Sequence, residues 1–132
     1  DPAAAYDKAV HALSFRWARN LKLKDVEVVW DKPFYGQWES ALHLQDIEDL
    51  DLDGFKGGPA PGGEARFPAV VLDAVENALV RNCRAVPGTG TFLLVKGERS
   101  RDIGLMGNDF RRVEKAVRLG QEVAGDAVRD VD

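Results

Sequence analysis

The chain has 132 residues, of which 45% are hydrophobic and 30% charged, and 18 basic against 22 acidic residues give a net charge of −4. This composition is that of an ordinary globular protein, and the length fits a single domain, 1–132. No stretch approaches the roughly 18 to 20 consecutive apolar residues that a membrane helix requires, so no membrane insertion is expected. The acidic balance also argues against duplex nucleic acid as a partner, because phosphate binding needs a basic surface.

The chain contains one cysteine, Cys83, and two histidines, His11 and His43. A single thiol cannot form an internal disulfide, which favours the cytoplasm or another reducing compartment. These side chains are too few for a structural zinc site, and the sequence contains neither a phosphate-binding loop nor a nucleophile elbow. We therefore expect no cofactor.

Residues near the amino end have helical spacing. Apolar side chains recur there every three or four residues: Tyr6, Val10, Leu13, Trp17 and Leu21. Pro2 suits the first turn of a helix, where its missing N–H needs no acceptor. The pattern predicts an amphipathic helix of about 20 residues whose apolar stripe packs on the rest of the domain.

Alternating apolar and polar residues follow this segment. They predict strands at 23–31 and 38–47, joined as an antiparallel hairpin. The alternation continues at 50–52 and predicts a third strand. Glycine and proline dominate 54–63, which predicts a loop that is the most mobile internal segment.

The second half alternates between helical and extended patterns. Apolar spacing predicts a helix from Pro68 to Pro87 with a buried stripe: Val71, Leu72, Val75, Ala78 and Leu79. A continuous apolar run predicts a central strand at 91–96, and a short strand is expected at 101–106. Asn108 is expected to cap a last helix with apolar residues as far as Ala124, and the tail 125–132 is expected to fray.

The predicted order of elements is α-β-β-(β)-α-β-(β)-α, without an internal repeat. Consecutive strands favour an α+β fold, with a mostly antiparallel sheet of four to five strands and three helices. This order is similar to that of the class I chaperones of type III secretion, which implies a chaperone-like protein, usually dimeric. The segment 51–54 (DLDG), followed by a predicted helix and by 94–97 (LVKG), resembles the MutS-related nuclease domain, although that family has histidine where Asp53 stands.

Aromatic residues are concentrated in the predicted hairpin: Trp30, Phe34, Tyr35 and Trp38. Large rigid side chains on a loop are typical of recognition surfaces, so we expect this hairpin to dock a partner, together with Lys96, Arg99 and Arg101. The predicted function is a non-enzymatic protein–protein interaction module: a chaperone-like protein, an inhibitor or immunity protein, or a complex subunit. Its partner is expected to be another protein or a second copy of this chain. The alternative is that the two tryptophans form a cross-strand pair and the other rings pack on the core.

A second hypothesis is a small hydrolase, such as a nuclease or toxin domain. His43 lies close in sequence to Asp46 and Glu39, and an imidazole beside a carboxylate is suited to acid–base catalysis. In this alternative, Arg99 or Arg101 would hold an anionic substrate.

Charge is segregated along the chain. Residues 39–53 contain six acids and no base, whereas 81–101 contain five bases and one acid. The two blocks either steer charged partners, face each other across the sheet, or remain solvated. Within the acidic block, Asp49, Asp51 and Asp53 match the first half of a calcium loop, but Ala60 stands where a bidentate glutamate is needed. No metal site is therefore expected, and calcium binding is only a weak alternative.

Overall fold

The computed structural model describes residues 10–32, 36–61 and 67–131, which contain no helix and fold as a parallel β-solenoid. The nine strands are β1 (Leu13–Lys24), β2 (Leu42–Asp53), β3 (Lys56–Gly57), β4 (Val70–Arg81), β5 (Arg84–Ala85), β6 (Thr91–Lys96), β7 (Arg101–Met106), β8 (Lys115–Leu119) and β9 (Val128–Asp130). None of the described residues form a helix able to cross a membrane.

Each turn of the solenoid, here called a rung, lies in parallel register on the next. The long strands stack in the order β1-β2-β4-β6-β8, and β7 pairs with β4 and β9. One column of side chains runs through all five rungs: Leu13, Leu42, Val70, Leu93 and Val117. A second, two-stranded sheet joins β3 to β5. Similar residues therefore recur every 23 to 29 positions, so the prediction that the chain has no internal repeat is wrong.

The apolar residues of β1, β2 and β4 share one unusual spacing. Inward positions follow each other at intervals of two, three, three and two residues, as in β2: Leu42, Leu44, Ile47, Leu50 and Leu52. The inward residues of β2 and β4 are at most 5% exposed. The inward face of each strand is covered by the neighbouring rungs, so the same inward positions are apolar on each of these three rungs.

The intervals of three arise at corners where the backbone has positive φ. Twelve of the thirteen positive-φ residues in the described part of the chain fall into three columns: Trp17, Asp46, Ala74 and Gly97; Asn20, Asp49, Asn77 and Asp102; Asp25, Gly54, Asn82 and Gly107. Asn, Asp and Gly dominate these columns because they adopt the left-handed conformation at the lowest cost. We call the first set the Trp17 column.

The predicted α+β fold with three helices and an antiparallel sheet is wrong. The first predicted helix is β1 from Leu13 onward, and its residues 1–9 lie outside the described residues. The second predicted helix contains β4, and the last contains β8. The corners explain why helices were predicted. At each corner two inward apolar residues are three positions apart instead of two, and this spacing resembles that of the apolar stripe of a helix.

The predicted hairpin is also wrong, because β1 and β2 pair in parallel, with Leu21 opposite Leu50. The resemblance to the type III secretion chaperones depended on the predicted order of helices and strands. The described residues contain no helix, so that resemblance is lost. The strands expected at 91–96 and 101–106 are present as β6 and β7.

Two segments expected to be irregular are part of the solenoid. Within 54–61, β3 pairs with β5, and Phe55 is completely buried; 62–66 lies outside the described residues. The ring of Phe92 contacts Phe55 and Phe110, with centroids 6.2 Å and 5.0 Å away, so this segment supplies part of the aromatic core. At the carboxyl end, β9 pairs with β7, and Ala127 is 2% exposed.

Candidate functional site

The predicted aromatic docking set is only partly described by the structure. The rings of Trp30 and Trp38 are half-buried and in contact, with centroids 5.3 Å apart. The indole N–H of Trp30 donates to the carbonyl of Gly58 at 3.0 Å. Phe34 and Tyr35 lie outside the described residues. The two tryptophans therefore form a pair, but neither belongs to a strand.

An apolar groove of about 420 Å³ lies beside Trp30, and we call it the tryptophan groove. It is lined mainly by aliphatic side chains and prolines: Val28, Val29, Trp30, Pro59, Ala60, Pro61, Val86 and Pro87. Among the residues that the structure describes, no charged side chain lines it, and Val29 is 72% exposed. Such a surface favours an uncharged, apolar ligand.

The three basic residues of the predicted docking set do not line the tryptophan groove. Arg99 lines a different groove, also of about 420 Å³, which we call the charged groove. Its charged lining residues are Arg19, Asp46, Glu48, Glu76 and Arg99, and its remaining lining residues are Trp17, Ala18, Ile47 and Ala74. Arg101 adjoins it through Glu76, and Lys96 lies near His43. The structure therefore separates the aromatic and basic halves of the predicted set.

Ion pairs between rungs hold the side chains of the charged groove. They join Arg99 to Asp46 at 2.6 Å, Arg19 to Glu48 at 3.2 Å, and Arg101 to Glu76 at 3.4 Å. The arginines are 61–80% exposed, and exposed pairs contribute only about 0–1 kcal/mol to stability. The pairs therefore matter mainly because they fix carboxylate acceptors and guanidinium donors along one surface.

The arrangement of charged side chains in this groove follows from the register of the strands. Arg19, Glu48, Glu76 and Arg101 occupy one column on successive rungs. The two glutamates are neighbours of like charge, and each is paired with the arginine on its other side. Segregated charge blocks in the sequence thus face each other, as Arg81–Asp51 and Arg99–Asp46 also show.

Trp17 is the most unusual residue of the charged groove. Its side chain is 74% exposed, and its φ of 57° is one that bulky residues adopt at a cost of roughly 1–3 kcal/mol. The Arg16 guanidinium lies 4.6 Å from the ring centroid. Other rungs place Asp46, Ala74 and Gly97 at this corner. The combination of strain and exposure makes Trp17 the candidate binding residue of this groove.

Sequence reasoning missed Trp17 because it assigned the residue to a buried helical stripe. The sequence signal that could have identified Trp17 is the repeated apolar spacing of the long strands. Aligning β1 on β2 by their shared apolar spacing places Trp17 opposite Asp46, at a corner that points into solvent.

His43, the predicted acid–base residue, lies in a different environment from Asp46. Its ring stacks on His11, with centroids 4.5 Å apart and planes inclined by 14°. Its Nδ1 is buried and has no hydrogen-bond partner among the described residues. Asp46 instead accepts a hydrogen bond from Arg99. Neither groove is lined by His43, so the hydrolase hypothesis stays a prediction and is not the function that we propose.

Burial lowers the pKa of both imidazoles. The pKa of His11 falls to about 4, with the charge of His43 lowering it further and a backbone hydrogen bond of Ser40 opposing the change. Burial also lowers the pKa of His43. The charged groups that act on His43 are Asp73 and Glu39, which raise its pKa, and Lys96 and Arg16, which lower it.

We expect the protein to lose stability as the pH falls from 6.5 to about 4. In this range His11 is protonated in the unfolded chain and neutral in the folded chain, so the free energy of unfolding decreases as the pH falls. The expected loss is about 1–2 kcal/mol, because the rings are only partly shielded from solvent. Urea unfolding at several pH values measures it. His11→Asn should flatten the curve in this window, and an unchanged slope would contradict the assignment.

The acidic residues considered as a weak calcium alternative lie along β2 and interact with the next rung. Asp51 accepts two hydrogen bonds from Arg81, at 2.9 Å and 3.1 Å. Asp49 accepts from Asn77, and Asp53 accepts from Asn82. The structure assigns these carboxylates to contacts between rungs. In the part of the chain that it describes, no three or more His, Cys, Asp or Glu side chains are arranged to hold a metal.

Cys83 is 1% exposed, and burial raises the pKa of its thiol to about 11. A thiol that remains protonated at neutral pH is a poor nucleophile. Cys83 therefore belongs to the core and not to a reactive site.

No family model, no curated protein and no solved structure matches this chain. The function is therefore inferred from the chemistry of the two grooves.

Proposed function

We propose that this chain is a non-enzymatic binding module whose charged groove binds a stretch of an extended carbohydrate chain. The observation that carries the proposal is Trp17, a solvent-exposed indole in a strained conformation at the edge of a charged groove. Exposing the ring and straining its backbone both cost free energy, and a ligand that packs on the ring supplies a reason for both.

Carbohydrate chemistry fits the residues around this ring. A pyranose has an apolar C–H face, which packs on an indole, and a rim of hydroxyl groups that donate and accept hydrogen bonds. Asp46, Glu48 and Glu76 supply acceptors, and Arg19 and Arg99 supply donors. A volume of about 420 Å³ is within the usual range for small-ligand sites.

Two other ligand classes fit the charged groove less well. The buried cores of protein–protein interfaces are depleted in Asp and Glu, whereas three carboxylates line this groove. The same carboxylates would repel the phosphates of a nucleic acid. A chain rich in hydroxyl groups is compatible with both the acids and the bases.

Replacing Trp17 with asparagine tests the proposal. We expect affinity for the hexasaccharide that binds the native chain to fall at least about tenfold, a loss of about 1.4 kcal/mol of binding free energy. The fold should keep or slightly gain stability, because asparagine adopts positive φ more easily than tryptophan. Cellohexaose and mannohexaose serve as neutral probes and a hexauronate as the anionic probe. Calorimetry measures binding to both proteins, and in the native chain the emission of Trp17, the most exposed of the three tryptophans, also reports it.

The matched control is Val29→Asp, which changes an exposed residue of the tryptophan groove and should leave carbohydrate affinity unchanged. The proposal fails if no probe binds the native chain, or if Trp17→Asn binds as tightly as the native chain.

A second candidate function is the docking of a protein partner at the tryptophan groove. It is supported by the described lining residues of that groove, which are all uncharged, and by the exposure of Val29. The ring of Trp30 offers only its apolar surface, because its N–H is bonded to Gly58. The expected partner segment is therefore apolar and uncharged.

The Val29→Asp variant also tests this second function. Peptides selected from a displayed library on the native chain should be apolar, and they should lose affinity for Val29→Asp but not for Trp17→Asn. Selected peptides that bind all three proteins equally would argue against docking at this groove.

A further inference from the structure

In the described part of the chain, β1 is an edge strand of the solenoid. β1 pairs with β2 on one side, and no strand within 10–32, 36–61 or 67–131 pairs with its other side. The inward residues of β1 are only half-buried, whereas those beneath them in β2 are at most 3% exposed: Leu42, Leu44, Ile47, Leu50 and Leu52. A half-covered apolar row along the outer backbone of an edge strand is a template for an added strand.

The same strand is cationic along its whole length. Its sequence contains four bases and no acid: Arg16, Arg19, Lys22 and Lys24. Three of these bases stand in register with carboxylates of β2: Arg19 with Glu48, Lys22 with Asp51, and Lys24 with Asp53. The strand that pairs with β1 in the fold, β2, therefore presents apolar residues inward and carboxylates outward.

We propose that the outer edge of β1 is a docking edge for an acidic, extended segment of another protein, which adds as a parallel strand. The segment repeats the pattern of β2, with apolar residues inward and Asp or Glu outward. The long basic side chains of β1 then lie between two rows of carboxylates and interact with both. Backbone hydrogen bonds give affinity, and charge selects the partner.

A second copy of this chain is a poorer occupant of the edge. Two β1 edges facing each other would oppose four cations with four cations. The last rung is no better for stacking end to end, because β8 and β9 carry Lys115, Arg118 and Arg129 against one acid, Asp130. Arg129 also occupies the same column as Lys22. Basic edge strands keep copies of a protein apart while leaving the edge open to an acidic strand.

The test uses a fluorescent peptide with the sequence of residues 41–54, which contains the strand that β1 already accepts. The matched control peptide keeps its apolar residues and replaces its acids with lysine: Asp46, Glu48, Asp49, Asp51 and Asp53. Anisotropy should show binding of the acidic peptide and at least about tenfold weaker binding of the basic one. Binding should weaken as salt is raised from about 50 to 500 mM. Hydrogen exchange should slow at the β1 amides.

Variants of the protein locate the contact. Lys22→Glu with Lys24→Glu should abolish binding of the acidic peptide, whereas Lys115→Glu at the other end of the solenoid should not affect it. A melting curve verifies that the double variant is folded. If it is not folded, the comparison of the acidic and basic peptides on the native chain still tests the proposal. The proposal is overturned if neither peptide binds, if both bind equally, or if sedimentation shows two copies joined through β1.

Discussion

Replacing Leu72 with alanine is expected to lower the free energy of unfolding by about 3–5 kcal/mol. Leu72 is completely buried in β4, in one column between Leu44 of β2 and Val95 of β6. Removing its side chain leaves a cavity between rungs that are held in register by backbone hydrogen bonds and cannot close over it. Urea unfolding followed by circular dichroism measures the loss.

The matched control for this prediction is Leu79→Ala in the same strand. Leu79 points outward and is half-buried, so its truncation should cost less than about 1.5 kcal/mol. A helix over this segment would place Leu72 and Leu79 on the same buried stripe and would make the two losses similar. Equal losses would therefore contradict the register of the solenoid.

Replacing Gly97 with alanine is expected to lower the free energy of unfolding by at least about 2 kcal/mol. The φ of Gly97 is +86°, in a region that side chains disfavour. A Cβ at this position would also lie 2.7 Å from the backbone nitrogen of Ala74 and 2.7 Å from Asp73 Oδ1. The backbone of the neighbouring rung cannot move aside without disturbing the Trp17 column.

Gly125→Ala is the control, because a Cβ there meets no atom within 4 Å. We expect its stability to be within about 0.5 kcal/mol of the native chain. If both glycine variants unfold at the same urea concentration, the close approach of rungs at Gly97 is not present in solution.

The sequence predicted extended structure best where strands are short and have no corner. β6 and β7 were both expected at the positions where they occur. The long strands β1 and β4 were instead predicted as helices, because each contains two corners only three residues apart. The strand β2 has the same two corners, but most of it was predicted as extended structure, at 38–47 and 50–52. Within such a strand the apolar spacing of two, three, three and two overlaps that of an amphipathic helix over 11 residues.

The candidate sites were predictable to different degrees. The pairing of Trp30 with Trp38 was one of the two alternatives for the aromatic cluster, and it is present without the hairpin. The placement of Arg99 beside Asp46 was not predictable, because the two residues are 53 positions apart and lie on different rungs. Trp17 was missed for the same reason as the fold, since a helix would have buried it.

By itself, the sequence determined an acidic chain with one thiol, short runs of spaced apolar residues and residues suited to tight corners. These properties follow from composition and local pattern, which act within a few residues. Only the tertiary structure decided which residues share a surface, because parallel rungs bring together positions 23 to 29 residues apart. Stacking made columns of separate residues into a continuous core, an ion-paired groove and a cationic edge. None of these follows from local spacing, since the free energy that forms them comes from contacts between rungs.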